Sequence, residues 1–379
     1  MAPTIDRERA LTLAAHQASL LVSAQALPAE LADSEIDPEP TEVFDVNGEV
    51  LLWRARLRGE RTSGWLDVAA DSRVGALTMA AVQGAEWQPE RLLEQAHEAL
   101  REQGLDEGFD QVRFVAYSYP KLAIQFLAGD REVAMLELFT WLPIPDEPQR
   151  DAENFSRWSY FDSLRRSAEK RAVRFEAEIE TISSLADQLG LTPLRISVFD
   201  ISKYLRLSIS RGLHYSTRLT DHETCFELRG QQTNVWCVGA SVQMLLDFYR
   251  YEYSQVRLAD ELGLGTVDNP NGLPYANDSL VVTVIEKLTG NALNATMYTS
   301  NPFSRFRSEI NANRPLISFI PGHSRAVAGY TDTRWLLGTG FQGLLVYDPW
   351  PPNSGVITRW ENYNASTYRR TFTAQVTLV

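Results

Sequence analysis

The first half of the chain alternates between helical and strand-like spacing of its apolar residues. Residues 5 to about 26 place leucines and alanines at helical intervals, which predicts an amphipathic helix. The acidic segment 28–42 holds three prolines and little to bury, so it is predicted to be a linker or an extended arm. Strand-like runs then flank Asn47-Gly48, a dipeptide typical of hairpin turns.

Residues 43–144 combine several strand-like runs with one helical pattern, which predicts a sheet packed on a helix. Gly104 stands where the end of that helix is expected. A proline-rich break over 142–151 is followed by a long, charged helical pattern over 161–190. The predicted organisation is an N-terminal helix (1–27), a small α+β domain (28–150), a linking helix (151–193) and a C-terminal domain (194–379).

A second helical stripe occurs in the C-terminal domain. It consists of Val238, Val242, Leu245 and Tyr249. Asn234 is a candidate N-cap for this helix, which places Cys237 in the first turn. The positive end of the helix dipole favours a thiolate there, and the thiolate is the nucleophilic form of cysteine. A buried core thiol is the alternative, but such a thiol would more often lie in the middle of the apolar stripe.

The composition limits the possible partners. With 44% hydrophobic and 22% charged residues, the chain is typical of globular proteins. The net charge of −13 argues against nucleic acid or an anionic membrane as the main partner. No apolar run reaches the roughly 18 residues that a membrane-spanning helix needs. No His/Cys cluster has metal-ligand spacing, so neither a metal nor another cofactor is expected.

Two cysteines, Cys225 and Cys237, cannot form a disulfide framework. The N-terminal segment lacks the basic start and the uninterrupted apolar stretch of a signal peptide. We therefore expect a protein that is cytoplasmic, or exported without a recognisable signal peptide.

A nucleophilic thiol needs a base, and His323 is the best placed of the five histidines. It follows an apolar strand pattern and a Pro-Gly turn, so it is predicted to begin the next strand. Asp348 ends another strand pattern, directly before Pro349. If the two strands are neighbours, Asp348 can accept a hydrogen bond from the imidazole and fix its tautomer. The alternative is that Asp348 is only a turn residue.

Gln231 lies six residues before Cys237. A side-chain amide at that place can donate a hydrogen bond to the oxyanion of a tetrahedral intermediate, together with the backbone N–H of the nucleophile. The adjacent Gln232 is the alternative donor, and both glutamines could also be solvated loop residues.

Three segments, QQTNVWCVGAS, GHSRAVAGY and VYDPWPP, resemble the papain-like cysteine peptidases of the C39-like and AvrRpt2-like groups. The resemblance spans about 225–375. It implies an α+β fold in which a helical subdomain with the cysteine faces an antiparallel β subdomain with the histidine and the aspartate. It also implies that Cys237 is the nucleophile, His323 the general base, Asp348 the third member and Gln231 the oxyanion donor.

Two positions depart from that family pattern. Val238 follows the cysteine where many relatives have an aromatic residue, and Ser324-Arg325 follows the histidine where apolar residues are usual. Strand alternation places Arg325 on the same side as His323. We interpret Arg325 as a surface residue, or as a partner for an acidic substrate or for the acidic N-terminal half.

The N-terminal half resembles PepSY-like and streptopain-type propeptide modules. The resemblance rests on a Gly-Trp-Leu strand and on the segment YSYPKL, upstream of a cysteine peptidase. In those proteins a cystatin-like α+β domain blocks the cleft. The resemblance implies a zymogen whose partners are a protein or peptide substrate and this intramolecular inhibitory domain. The alternative is a binding domain that delivers substrate.

The resulting functional hypothesis is a cysteine peptidase that works through a thioester on Cys237. An acyltransferase or peptide ligase would use the same thioester. A catalytically inactive papain-like binding protein is the alternative outside enzymes.

Overall fold

The computed structural model describes residues 5–23, 27, 30–31, 34–59, 63–74, 77–83, 87–105, 108–145, 157–164, 214–219, 226–334 and 342–377. Within these residues the protein is a mixed α+β structure, as expected. Most of the predicted linking helix over 151–193 lies outside them, as does Cys225.

The described elements of the N-terminal half are α1 (Arg7–Ser23), β1 (Glu35–Ile36), β2 (Thr41–Asp45), β3 (Val50–Arg58), β4 (Ser63–Ala69), β5 (Leu77–Gln83), α2 (Pro89–Glu102), β6 (Gln111–Ser118), β7 (Lys121–Ala128), β8 (Arg131–Glu137) and α3 (Tyr160–Leu164). The predicted hairpin at Asn47-Gly48 is confirmed, because it joins the paired strands β2 and β3. Gly48 has a φ of 86°, a left-handed value that a residue without a side chain adopts at little cost.

Of the two alternatives predicted for residues 28–42, a linker or an extended arm, the described part fits an extended arm that is bound to the sheet and not a free linker. β1 pairs with the end of β3, and β2 begins at Thr41. Leu31 and Ile36 are buried against the rest of the N-terminal core. The composition of the segment was misleading because two well-spaced apolar side chains are enough to bind it to the sheet.

The described elements of the C-terminal half are β9 (His214–Leu219), α4 (Cys237–Phe248), α5 (Gln255–Leu262), α6 (Leu280–Leu288), β10 (Leu293–Tyr298), α7 (Phe303–Asn311), β11 (Leu316–Ile320), β12 (His323–Arg334), β13 (Gln342–Asp348), β14 (Val356–Asn362) and β15 (Arg370–Val376). The helix α4 packs against β11 and β12. Its apolar residues form one core with α5, α6 and the facing strand residues.

One sheet runs through both halves in the order β10-β15-β11-β12-β13-β14-β5-β4-β3-β2-β6-β7-β8, with β1 on β3 and β9 on β12. All pairs of strands among the described residues are antiparallel except β2 with β6. The halves meet where β14 pairs with β5. One apolar core also contains residues of both halves, including Met244, Tyr347 and Trp360 from the C-terminal half. The N-terminal half is therefore bound to the C-terminal half by backbone hydrogen bonds and by apolar packing.

Candidate active site

Cys237 is the first residue of α4 and is fully buried. The predicted first-turn position is confirmed, but the residue at the N-cap is Trp236 rather than Asn234. The indole N–H of Trp236 donates to the backbone oxygen of Leu264 at 2.9 Å, which fixes the entry into the helix. The side chain of the N-cap residue Trp236 makes no capping hydrogen bond to this helix.

His323 begins β12, directly after the Pro321-Gly322 turn, as the sequence predicted. Its Nε2 lies 2.6 Å from Oδ1 of Asp348, the last residue of β13. The strands β12 and β13 are paired, which brings the two residues together. The same carboxylate oxygen accepts a hydrogen bond from the backbone N–H of Trp350 at 2.9 Å, so Asp348 is held from two sides.

The hydrogen bond to Asp348 determines the tautomer of His323. An ionised carboxylate only accepts, so we assign the ring proton to Nε2, which leaves Nδ1 with a lone pair. Nδ1 is buried and has no hydrogen-bond partner. The imidazole is thus oriented by one nitrogen and presents an unoccupied acceptor with the other. This is the arrangement that a general base for a thiol requires.

Gln231 is tied to the segment that follows Asp348. Its backbone N–H donates to the oxygen of Pro349 at 2.9 Å, and its backbone oxygen accepts from Asn353 at 2.8 Å. The side chain is fully buried, and its Nε2 donates to the backbone oxygen of Thr233 at 2.6 Å. Gln232 has an exposed side chain instead. Of the two glutamines, only Gln231 places its amide inside the protein beside this segment.

The turn before His323 is contacted by the N-terminal half. Lys121, at the start of β7, is buried, and its Nζ donates to the backbone oxygen of Gly322 at 3.2 Å. Its ammonium also lies 5.3 Å from the ring centre of Trp350. A Cβ atom on Gly322 would lie only 2.9 Å from Oγ of Ser118. The β6–β7 turn, residues 117–121, therefore packs directly on the turn that leads to His323.

The same β6–β7 turn lies within electrostatic range of the cysteine. Tyr117 is buried, and its pKa is raised well above its ordinary value by burial, then by the charge of Glu137 and that of Cys237. Burial also raises the pKa of Glu137 to about 7, although hydrogen bonds from Thr140 and Phe139 and the charge of Lys121 oppose the increase. Tyr117, Lys121 and Glu137 thus form a buried polar cluster against the site.

Burial dominates the charge state of His323. It lowers the pKa of the imidazole to about 4, and the nearby charges of Lys121 and Arg325 act in the same direction. The Asp348 carboxylate opposes this decrease but does not cancel it. In this closed arrangement His323 is therefore neutral at neutral pH. Cys237 and His323 both have 0% exposed surface, so a substrate cannot reach either of them in this arrangement.

The interpretation of Arg325 as a surface residue was wrong. Arg325 is only 1% exposed, and its guanidinium forms a fork with the carboxylate of Glu361 on β14. The two alternatives, an acidic substrate and the acidic N-terminal half, do not account for this partner. Strand alternation correctly predicted the side of β12 on which Arg325 lies, but it did not predict that Arg325 is buried there against Glu361.

The other histidines lie elsewhere or outside the described residues. His16 is on α1, and His97 on α2 packs against Phe109 and Phe126. His214 begins β9, while His222 is outside the described residues. Sequence reasoning did not identify the cluster of Tyr117, Lys121 and Glu137. The available signal was polar residues that interrupt otherwise apolar strands, but which surface they face depends on how the two halves pack.

Within the described part of the chain, no group of His, Cys, Asp and Glu side chains is arranged to hold a metal ion. No helix among the same residues is long and apolar enough to span a bilayer.

One family model matches part of the C-terminal half. Residues 224–376 match the model of the Peptidase C39-like family. No curated protein matches the chain. Solved structures that match include a double glycine motif protease from an AMS/PCAT transporter in complex with the leader peptide. That protease is 16% identical, and the match covers 40% of this chain and 93% of the other, with a TM-score of 0.26. So low a TM-score does not relate the two folds, and the family match alone supports a C39-like cysteine peptidase domain.

Proposed function

We propose that this chain, whose residues 224–376 match the C39-like peptidase family, is a cysteine peptidase with Cys237 as nucleophile, His323 as general base and Asp348 as the residue that orients the base. The observation that carries the proposal is the imidazole of His323, bound to Asp348 through Nε2 and unpartnered at a buried Nδ1. His323 is the first residue of β12, and the helix that begins with Cys237 packs against this strand.

The reaction begins with transfer of the thiol proton of Cys237 to Nδ1 of His323. The sulfur then attacks the carbonyl carbon of the scissile peptide bond and forms a tetrahedral intermediate. His323 returns the proton to the leaving nitrogen, the C–N bond breaks, and a thioester remains on Cys237. A water molecule, deprotonated by His323, hydrolyses the thioester and restores the thiol.

The oxyanion of the tetrahedral intermediate needs hydrogen-bond donors. The backbone N–H of Cys237 in the first turn of α4 and the side-chain amide of Gln231 supply them in this proposal. Gln231 is preferred over Gln232 because it is buried and hydrogen-bonded to the residue after Asp348. Loss of one such donor lowers the rate about 100- to 1,000-fold in a well-studied protease.

We further propose that the described arrangement is a latent state, restrained by the N-terminal half. Its support is the full burial of Cys237 and His323 and the Lys121–Gly322 hydrogen bond. The low pKa of the buried imidazole of His323 also favours the latent state, because it disfavours the thiolate–imidazolium pair. Activation then requires the β6–β7 turn to move away from Gly322.

The proposal is tested by peptide cleavage with the full chain. Lys121→Glu replaces the donor to Gly322 by a carboxylate that repels that carbonyl and Glu137, so it is expected to release the turn. We expect this variant to cut peptides from a mixed library, with new termini detected by mass spectrometry. Adding Cys237→Ala or His323→Ala should abolish the cleavage. Lys287→Glu, which reverses an exposed lysine on α6, is the matched control and should stay as inactive as the unmodified chain.

The outcomes separate the three functional hypotheses. A folded Lys121→Glu variant that reacts with thiol probes at Cys237 and transfers acyl groups only to an added amine would indicate an acyltransferase or ligase. A folded variant with an accessible Cys237 that forms no acyl-enzyme would indicate a binding protein and would refute the peptidase.

A further inference from the structure

Arg325 is a buried charge two residues after His323 that the proposed reaction does not use. It lies on the same side of β12 as His323, because side chains alternate along a strand. Ala326 pairs with Tyr347, so the same antiparallel register, continued by one residue, places Arg325 opposite Asp348. The backbone of Arg325 therefore lies opposite that of Asp348, two residues along β12 from His323, and its side chain extends toward Glu361 on β14.

A built site holds this guanidinium in place. Its Nη2 donates to Oε1 of Glu361 at 3.0 Å, and Nη1 donates to the other carboxylate oxygen. Tyr368 donates from its hydroxyl to Oε1 of Glu361 at 2.9 Å. Arg325 and Glu361 are each 1% exposed. A planar fork bound to a carboxylate by two hydrogen bonds has little freedom to move, so the positive charge is fixed in position.

The guanidinium interacts electrostatically with both members of the pair. Burial by itself would lower the pKa of Arg325, but the carboxylates of Glu361 and Asp348 outweigh burial and raise it, so the side chain stays charged. The charge of Arg325 in turn lowers the pKa of His323. The other charged groups that face His323 are Asp348 and Lys121, and Cys237 lies on the helix packed against its strand.

We propose that Arg325 is a positioning residue that, anchored by Glu361 and Tyr368, presents a fixed positive charge to the His323–Asp348 pair. The inference rests on the proposed peptidase function. Asp348 alone would stabilise the imidazolium and make it a weaker acid. The Arg325 charge offsets that effect, so the imidazolium gives its proton more readily to the leaving nitrogen, and the neutral base persists to lower pH. Arg325 thereby extends the working range of the site toward acidic pH.

The test is the titration of His323 in the full chain, followed by NMR of carbon-13-labelled histidine and assigned by the signal that His323→Gln removes. Arg325→Met combined with Glu361→Gln removes the ion pair without leaving one buried charge alone. We expect this double variant to raise the pKa of His323 by about 1. Glu361→Gln alone leaves the positive charge uncompensated and is expected to lower that pKa further.

A fixed charge predicts that the pKa of His323 rises in the double variant and falls in Glu361→Gln. A general loss of packing would shift this pKa in the same direction in both variants. Arg307→Met with Asp332→Asn removes an ion pair that also involves β12 and is the control, expected to leave the titration unchanged. If the double variant does not fold, a folded Glu361→Gln variant with an unchanged or raised pKa overturns the proposal. An unchanged titration in a folded double variant overturns it as well. Failure of the peptidase proposal would appear separately, as absent cleavage by Lys121→Glu.

Discussion

At the scale of single residues, the buried carboxyl of Glu137 lies outside the proposed catalytic residues, and its surroundings change its pKa. Its Oε2 accepts hydrogen bonds from the backbone of Phe139 and Thr140 and from the Thr140 hydroxyl, while Oε1 is buried without a partner. Burial raises the pKa of this carboxyl from 4.5 to about 7. The folded protein therefore binds this proton more tightly than the unfolded chain does.

Because Glu137 binds its proton more tightly in the folded protein than in the unfolded chain, the free energy of unfolding depends on pH. The stabilising contribution of the protonated carboxyl is fully present below pH 4.5 and is lost as pH rises through about 7. Glu137→Gln cannot ionise, so its free energy of unfolding should improve relative to the unmodified chain over that range. The gain should reach at most about 3 kcal/mol, measured by urea denaturation at several pH values. A difference that stays constant with pH would contradict the assigned environment.

Sequence reasoning located His323 and Asp348 at a strand start and a strand end because strand boundaries depend on local signals, here Pro-Gly and Asp-Pro. Their mutual hydrogen bond followed once the two strands proved to be neighbours. The local pattern also gave the side of β12 that carries Arg325. The partner of Arg325 could not be predicted, because Glu361 lies on β14 and reaches Arg325 only through tertiary packing.

At the scale of elements, the segment before α4 and the turn after β13 approach each other unusually closely. A Cβ atom on Gly230 would lie 2.4 Å from the backbone nitrogen of Ser354 and 2.5 Å from the carbonyl carbon of Asn353. Only a glycine permits this approach, which brings the backbone of Gln231 into hydrogen-bond contact with Pro349. The backbone of the proposed oxyanion residue is thus bound to the residue that directly follows the proposed orienting residue Asp348.

Gly230→Ala is expected to force these two segments apart. We expect a loss of unfolding free energy of about 1–3 kcal/mol, because both obstructing atoms belong to the backbone. Gly239→Ala is the matched control, since its nearest contact would be Leu264 Cδ1 at 3.8 Å and alanine favours the helix by about 1 kcal/mol. Urea denaturation compares the two, and equal stability would contradict the described approach.

The periodic helices and the Asn-Gly hairpin were predictable because their signals are local. The pairing of β1 with β3 was not predictable, because nothing local in the sequence shows that residues 35–36 lie next to the end of β3.

At the scale of the whole molecule, the two halves share one sheet and one core. The pairing of β14 with β5 and the common apolar cluster join the N-terminal half to the C-terminal half. Removing the N-terminal half would expose that core and the edge of β14, so a truncation would confound inhibition with unfolding. A substitution in the β6–β7 turn is the cleaner way to test latency. No local sequence signal predicts such a junction, because its two strands are far apart in the chain.

The most direct test of the central claim is the alkylation rate of Cys237 in the folded full chain, followed by peptide mass spectrometry with iodoacetamide. We expect slow reaction in the unmodified protein and in Lys287→Glu. We expect a rate at least about 10-fold higher in Lys121→Glu, since a hydrogen bond from a charged group contributes about 1.5–3 kcal/mol to the closed state. Adding His323→Ala to Lys121→Glu should slow the reaction again. Equal rates in the unmodified protein and a folded Lys121→Glu variant would contradict the account.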